Sequence, residues 1–168
     1  MEIKVNSKKY GKKIILIDDE DYELIKDYTW CVVKDSNTFY SLTHIKTNKY
    51  KKKNIFLHRL IMNLKKGEIC DHINGNGLDN RKSNLRLCSY QQNNMNRKSW
   101  KNSTSKFKGI SWNKLAKKWK VTIGKDKKNI HLGYYENEFD AALVYNGAAK
   151  YLHGEFAKLN NINGELNV

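Results

Sequence analysis

Between residues 118 and 123 apolar and polar side chains alternate. Trp119, Val121 and Ile123 fall on one side of an extended chain, and Lys118, Lys120 and Thr122 on the other. Short runs at 107–112 and 129–134 flank this strand, with turn-forming stretches at 113–117 and 124–128. The period then lengthens: Ala141, Ala142, Tyr145, Ala148, Ala149 and Leu152 recur at three and four, which predicts a helix over 138–152 capped by Asn137 and stopped at Gly154. Small alanines let such a helix lie close on the apolar face of the sheet. The opposite face is left free and basic.

The first half of the chain is β-rich by the same test. Strands are predicted at 2–5, 13–17, 38–46 and 53–57, and Asp18 is placed to cap a helix over 20–26. Residues 58–63 suit a short helix whose neighbours Leu57, Leu60 and Ile61 are apolar. The basic run at 49–53 either follows a phosphate backbone or is a solvated hairpin tip. Residues 69–94, ICDHINGNGLDNRKSNLRLCSYQQNN, predict a strand ending in Cys70-Asp71-His72, a reversal at Asn74-Gly75-Asn76-Gly77, and a second strand at 85–88. A short polar helix follows, opened by Ser89 with Gln92 completing a capping box. Residues 95–106 lack periodicity and read as a linker; Trp100 within it stacks on DNA or closes a core.

Charge narrows the partner. The 168 residues carry a formal net charge of +15, with 32 Lys+Arg against 17 Asp+Glu. The excess is uneven: residues 1–45 hold 7 basic and 8 acidic side chains, residues 46–100 hold 13 and 3, and residues 101–168 hold 12 and 6. A polyanion is the natural partner of the last two segments. Cys31, Cys70 and Cys88 form no C-x-x-C pair, which fits apolar fillers in a reducing compartment. With no run of 18 apolar residues, a soluble protein of the cytoplasm, without a membrane partner, is expected.

Asp71 and His72 are neighbours on a strand, so their side chains point to opposite sides. One can hold a metal while the other addresses a water. Carboxylate and amide oxygens are hard ligands suited to Mg²⁺ or Mn²⁺, and an incomplete protein shell leaves room for substrate phosphate.

At Leu57-His58-Arg59-Leu60, Asp71-His72-Ile73-Asn74-Gly75-Asn76, Asp79-Asn80-Arg81, Ser83-Asn84-Leu85-Arg86 and Gln92-Asn93-Asn94 the chain resembles the His-Asn-His (HNH) homing endonucleases, in the phage and intron-encoded branch whose last His is Asn. The resemblance implies that His72 is the general base, that Asp71 and Asn93 are metal ligands, and that Asn84 ties together the two strands of a ββα-metal motif. Arg81, Lys82, Arg86 and Arg97 are the nearby candidates for DNA contact. His58 lies outside the three-part motif, with a structural or phosphate-contacting role favoured.

A second resemblance covers Lys108-Gly109-Ile110, Lys118-Trp119, Val121, Ile123, His131-Leu132-Gly133-Tyr134-Tyr135, Ala141-Ala142, Tyr145, Ala148-Ala149, Gly154 and Lys158-Leu159-Asn160. There the chain resembles the Apetala-two DNA-binding domain of plant ethylene-response factors and mobile nucleases. It implies a three-stranded sheet that enters the major groove, with Lys108, Ser111, Lys120, Thr122, Asn129 and His131 as its exposed positions. The plant domains are rich in Arg here and this segment has none, so its phosphate contacts would come from Lys.

The fold class expected is therefore α+β: a ββα-metal nuclease motif with a β-rich lead-in, followed by a small three-stranded antiparallel sheet packed on one helix. The domains expected are a nuclease over 1–100 with its core at about 69–98, a linker at 101–106, and a DNA reader over 107–162. The function expected is a metal-dependent, site-directed endonuclease acting on double-stranded DNA, phage or mobile-element encoded, with a monomer favoured. The alternative is a DNA-binding regulator with a silent nuclease unit; RNA binding is a third option, weakened by the missing stacking aromatics of an RNA-recognition sheet.

Overall fold

The computed structural model describes residues 1–35, 38–46, 48, 51–97, 99 and 102–162. Trp100, part of the basic run (Lys49 and Tyr50) and the start of the expected linker, Lys101, lie outside the described residues. The protein is a mixed α/β chain of small antiparallel sheets and few helices. It divides into two compact units, Met1–Tyr90 and Gln91–Val168.

In the first unit β1 (Glu2–Ser7) and β2 (Gly11–Leu16) form a hairpin, and β3 (Cys31–Asp35), β4 (Thr38–Lys46) and β5 (Lys52–Phe56) form a three-stranded sheet in that order. β3 has no counterpart in the sequence expectation; it is short and pairs with β4 at the edge of its sheet. The helix expected over 20–26 shrinks to a 3-10 turn at Asp19–Asp21 and one turn of α1 (Tyr22–Ile25). The reason is non-local. Asp18 makes no side-chain cap; its Oδ2 accepts from the backbone N–H of Lys82 at 2.7 Å.

After β5 the chain turns into α2 (Leu57–Ile61), then β6 (Ile69–His72), a 3-10 turn at Lys82–Asn84, and β7 (Leu85–Cys88), which pairs antiparallel with β6. One core joins the lead-in to this hairpin: Ile15, Ile17, Ile25, Trp30, Val32, Leu57, Ile61, Leu78 and Leu85 are buried together. Each such aliphatic side chain contributes about 1.5–3 kcal/mol on burial. The loop between β6 and β7 is zipped to the end of β2, with Leu16 N–H donating to Leu78 O and Asn80 N–H to Leu16 O, both at 2.8 Å. The lead-in therefore holds the loop.

The second unit opens with α3 (Tyr90–Met95), whose first residue closes the first unit. It continues as β8 (Ile110–Asn113), β9 (Lys118–Lys125) and β10 (Lys128–Tyr135), in the order β10-β9-β8, with α4 (Glu138–His153) packed on the sheet. Asn137 caps α4 through its side chain, accepting from Phe139 N–H at 2.7 Å, and Gly154 with φ 54° ends it. Phe107, Ile110, Val121, Ile123, Ala141, Ala142, Tyr145 and Ala149 form the core. Ser103, Thr104 and Ser105 are bonded to the body of this unit: Ser105 Oγ donates to Glu138 Oε1 at 2.6 Å and Trp112 N–H to Thr104 Oγ1 at 2.9 Å.

Candidate active site

His72 ends β6 and is buried at 5% exposure. Its Nε2 lies 3.3 Å from Asn80 Oδ1, and Asn80, fully buried, donates its Nδ2–H to Ser41 Oγ on β4 at 3.4 Å. An amide oxygen can only accept, so this contact assigns the ring proton to Nε2 and leaves Nδ1 as the basic nitrogen. Two rings meet the imidazole and a third backs them. His58 of α2 meets it edge to face with centroids 5.1 Å apart, Tyr40 of β4 stands at 5.7 Å, and Phe56 stacks on His58 at 5.6 Å.

Both imidazoles are held in the neutral form. Burial pushes His72 below the usual histidine value, opposed in part by the Asn80 bond and the charges of Asp71 and Asp79. Burial, with the nearby His72 and Arg59, pushes His58 down to about 3. A neutral imidazole in a dry pocket can take a proton near neutral pH.

Asp71 points the other way from its neighbour. It sits opposite Arg86 in the β6–β7 register, and Arg86 donates to Asp71 Oδ2 from Nη2 at 2.9 Å and from Nε at 3.2 Å. Both side chains are largely buried, so this is a dry ion pair, in which removing one partner is costly.

The loop between the strands is stapled by amides. Asn84 Oδ1 accepts from Asn74 N–H at 3.0 Å, and Asn84 Nδ2 donates to Asn74 Oδ1 at 3.1 Å and to Asp79 O at 2.8 Å. Asp79 is clamped by Arg81 through two bonds at 2.8 and 2.7 Å, which hold its carboxyl below the usual carboxylate range. Gly77 is required by close approach: a Cβ there would lie 2.5 Å from Phe39 O and 2.6 Å from the Tyr40 ring. The result is a rigid frame that fixes Asn80, and through it His72.

Among the candidate DNA contacts near the motif, Arg81 is held by Asp79, Lys82 by Glu20 and Asp21 at 2.5 and 2.9 Å, and Arg86 by Asp71. Arg97 is exposed in the second unit, with Nη1 3.5 Å from Asn94 Oδ1. Asn93 stands half-buried on α3 and is described with the second unit. Tyr40, Asn80 and the approach of His58 to His72 escaped the sequence reading. His58 and Asn80 carried a signal, since they lie in the matched stretches Leu57-His58-Arg59-Leu60 and Asp79-Asn80-Arg81.

In the second unit Ser111 and Tyr134 both pair with Lys120, His131 pairs with Thr122, and Asn129 with Gly124. Directly opposed residues share a face, so these side chains lie on the side of the sheet away from α4. Ser111, Asn129 and His131 are exposed; Lys120 and Thr122 are half-buried. Lys108 is also half-buried: its Nζ donates to Met95 O, and burial, with Lys158 and Arg97 nearby, pushes it down to about 8.

No group of three or more His, Cys, Asp and Glu side chains converges as a metal cage among the described residues. The donor chemistry still suits one ion. Magnesium uses one or two carboxylates and keeps several waters, and Asp71 is a buried carboxylate whose charge already draws a cation. The donor set fits a hydrated hard ion and does not fit a closed zinc site.

A neutral buried imidazole on a β-hairpin, with its tautomer fixed by a buried amide and a carboxylate on the adjacent residue, has the chemistry to accept a proton from water. Residues 56–95, which contain all of these groups, match the family described as HNH endonuclease. The chain is 36% identical over 93 residues to Protein 3.8 of Escherichia phage T7, covering 55% of this chain and 76% of that protein. It is 37% identical over 113 residues to an uncharacterized HNH endonuclease of Acanthamoeba polyphaga mimivirus, covering 63% of this chain and 57% of that one. No solved structure matches. The chain carries an HNH endonuclease domain and is a nuclease, for which that family suggests DNA as substrate. No helix among the described residues is long and apolar enough to cross a membrane.

Proposed function

We propose that this chain is a metal-dependent, site-directed endonuclease of the homing type that hydrolyses phosphodiester bonds in double-stranded DNA. The observation that carries the reading is His72: neutral, buried, fixed through Nε2 by Asn80, and adjacent to the carboxylate of Asp71. In the reaction, Nδ1 of His72 takes the proton of a water that attacks the phosphorus in line. The imidazolium that forms is stabilised by the charges of Asp71 and Asp79, the same charges that oppose its depressed proton affinity at rest. Asp71 and Asn93 would hold Mg²⁺ or Mn²⁺, which when bound supplies charge stabilisation at the phosphate and the departing 3′ oxygen. Asn84, the other residue assigned to the catalytic motif, would act by keeping the hairpin loop in place through its bonds to Asn74 and Asp79.

The division of labour proposed is a cutting domain over residues 1–100 built on a ββα-metal core, a connecting segment at 101–106, and an Apetala-two type reader over 107–162. What supports the reader is the strand face turned away from α4, which bears Ser111, Lys120, Thr122, Asn129 and His131 on a unit with excess positive charge. Tethering a reader to a cutter that reads little sequence raises its effective concentration at the target. The working compartment proposed is the host cytoplasm of a phage or mobile element, and the working form a monomer.

The test is incubation of the protein with supercoiled plasmid and Mg²⁺, followed by mapping of the ends. Open circles mean a nickase and linear product a paired cut. Persistent DNA binding without any product, across Mg²⁺ and Mn²⁺, would replace this reading with that of a regulator.

A further inference from the structure

The three-stranded sheet of the first unit carries a second cluster of reactive side chains, which the nuclease chemistry does not use. Cys31 opens β3 and pairs with Leu42; two residues further along β4, on the same face, His44 pairs with Asn54 of β5. Cys31 Sγ stands 3.6 Å from His44 Nε2, and His44 Nδ1 lies 2.7 Å from Asn54 Oδ1. Because the amide oxygen accepts, Nδ1 carries the ring proton and the lone pair of Nε2 faces the thiol. Cys31 Sγ also lies 3.3 Å from Leu42 O, so its hydrogen has two acceptors in reach. A nucleophile, a base beside it, and a third group that fixes the base's tautomer form the arrangement that activates a thiol.

The surroundings sort the three cysteines. Burial pushes the Cys31 thiol up, so it is protonated at rest and needs a base at hand to react near neutrality. His44 is exposed, which opens that base to solvent and to a small reactant. Cys70 donates to Asp71 O and burial pushes it up to about 11; Cys88 donates to Ile69 O and is pushed up by burial and by Asp71.

We infer that Cys31 is a modification site: a thiol that exchanges with low-molecular-weight disulfides, with His44 as its base and Asn54 as the group that orients His44. The Cys31 proton passes to His44 Nε2, and the sulfur pair attacks one sulfur of the disulfide. A new S–S bond forms, the old one breaks, and the departing thiolate takes the proton back from His44. The exchange is redox-neutral overall and independent of DNA cleavage.

The experiment exposes the full chain to oxidised glutathione at neutral pH and follows the adduct by intact mass and peptide mapping. Cys31 should take up the first glutathione at least about ten-fold faster than Cys70 or Cys88. His44→Gln, which keeps a polar side chain but no base, should slow Cys31 on the order of ten-fold or more, the low end of a general base's contribution. Asn54→Asp, which keeps the acceptor, should react like the parent, and in urea the selectivity should vanish. First modification at Cys70 or Cys88, an unchanged rate in His44→Gln, or selectivity that survives urea would overturn the assignment. So would a Cys31 that resists glutathione but takes up Zn²⁺ together with His44, since the pair would then be a metal site.

Discussion

His58 and His72 meet edge to face with ring centroids 5.1 Å apart, and burial holds both below the ordinary histidine value. Two neutral imidazoles in contact are compatible; two imidazolium ions would repel across a dry gap. Stability should therefore depend on acid in a definite direction. In the unfolded chain these rings titrate near pH 6.5, whereas folded His58 titrates near 3. The contribution of His58 is complete above about pH 6.5 and is lost as the pH falls from there toward 3, at about 1.4 kcal/mol per pH unit, and that of His72 is lost in the same direction. His58→Phe should flatten that slope while keeping a ring against Phe56. Urea midpoints at pH 7 and pH 4.5 measure it; an equal pH dependence in parent and variant would remove the claim.

His72→Ala should bind DNA with little change and cleave more slowly by roughly 10²–10⁴-fold, the worth of a positioned base. Asn80→Ala should cut the rate by less, since it frees the imidazole without removing it. Single-turnover cleavage with the enzyme in excess separates the two. An Asn80→Ala defect as large as that of His72→Ala would mean that Asn80 itself meets the reacting atoms.

Arg86 and Asp71 make a pair that a metal would have to share or displace. Arg86→Gln leaves the buried carboxylate without its cation, a change that costs about 3–5 kcal/mol when nothing compensates. The variant's melting temperature should drop by several degrees in EDTA, and Mg²⁺ should recover more of it than in the parent. Equal Mg²⁺ shifts in both proteins would place the ion away from Asp71.

The parts of this architecture readable from the sequence are those set by local rules. α4 announces itself through the Asn137 cap, the alanine stripe and Gly154, and the β9 strand through alternation of Trp119, Val121 and Ile123. The hairpin bearing His72 was legible because Asn74 to Gly77 can only be a turn. What failed was long-range. Asp18 looked like a cap because nothing nearby reveals that Lys82 N–H claims it. The rings against His72 come from β4 and α2, with Phe56 of β5 behind them, and no period in the chain relates Tyr40, Phe56 and His58 to each other. β3 was too short to stand out before its pairing with β4 was known.

Gly109 has φ 78°, and a Cβ built on it would collide with the Tyr145 ring and lie 2.6 Å from Thr122 O. Neither neighbour can retreat, because Tyr145 is buried in the core and Thr122 O belongs to the central strand. Gly109→Ala should destabilise the second unit by at least about 1–3 kcal/mol, combining left-handed strain with overpacking. Hydrogen exchange should accelerate in β8, β9 and β10 and stay unchanged in β6 and β7. Equal acceleration in both units would show that they unfold as one.

If the sheet face of the second unit follows DNA, its charges should count individually. Lys120 lies on that face between Ser111 and Tyr134, whereas Lys150 is exposed on α4, which covers the other side of the sheet. Each phosphate neutralised releases counterions, so log affinity should fall linearly with log salt, with a slope near 0.9 for each contact. Lys120→Ala should weaken binding and reduce the slope by about 1, and Lys150→Ala should leave both unchanged. The fragment to use is 91–162 rather than one beginning at 103, because Lys108 Nζ donates to Met95 O and Ser99 Oγ to Phe107 O. Cutting at 103 would strip both bonds and leave Lys108, already pushed down to about 8, without the backbone acceptor that holds its ammonium. Salt titrations of fluorescent duplex binding by 91–162 and its two variants decide the matter: a slope that moves with Lys150 and not with Lys120 puts the DNA on the helix side of the sheet.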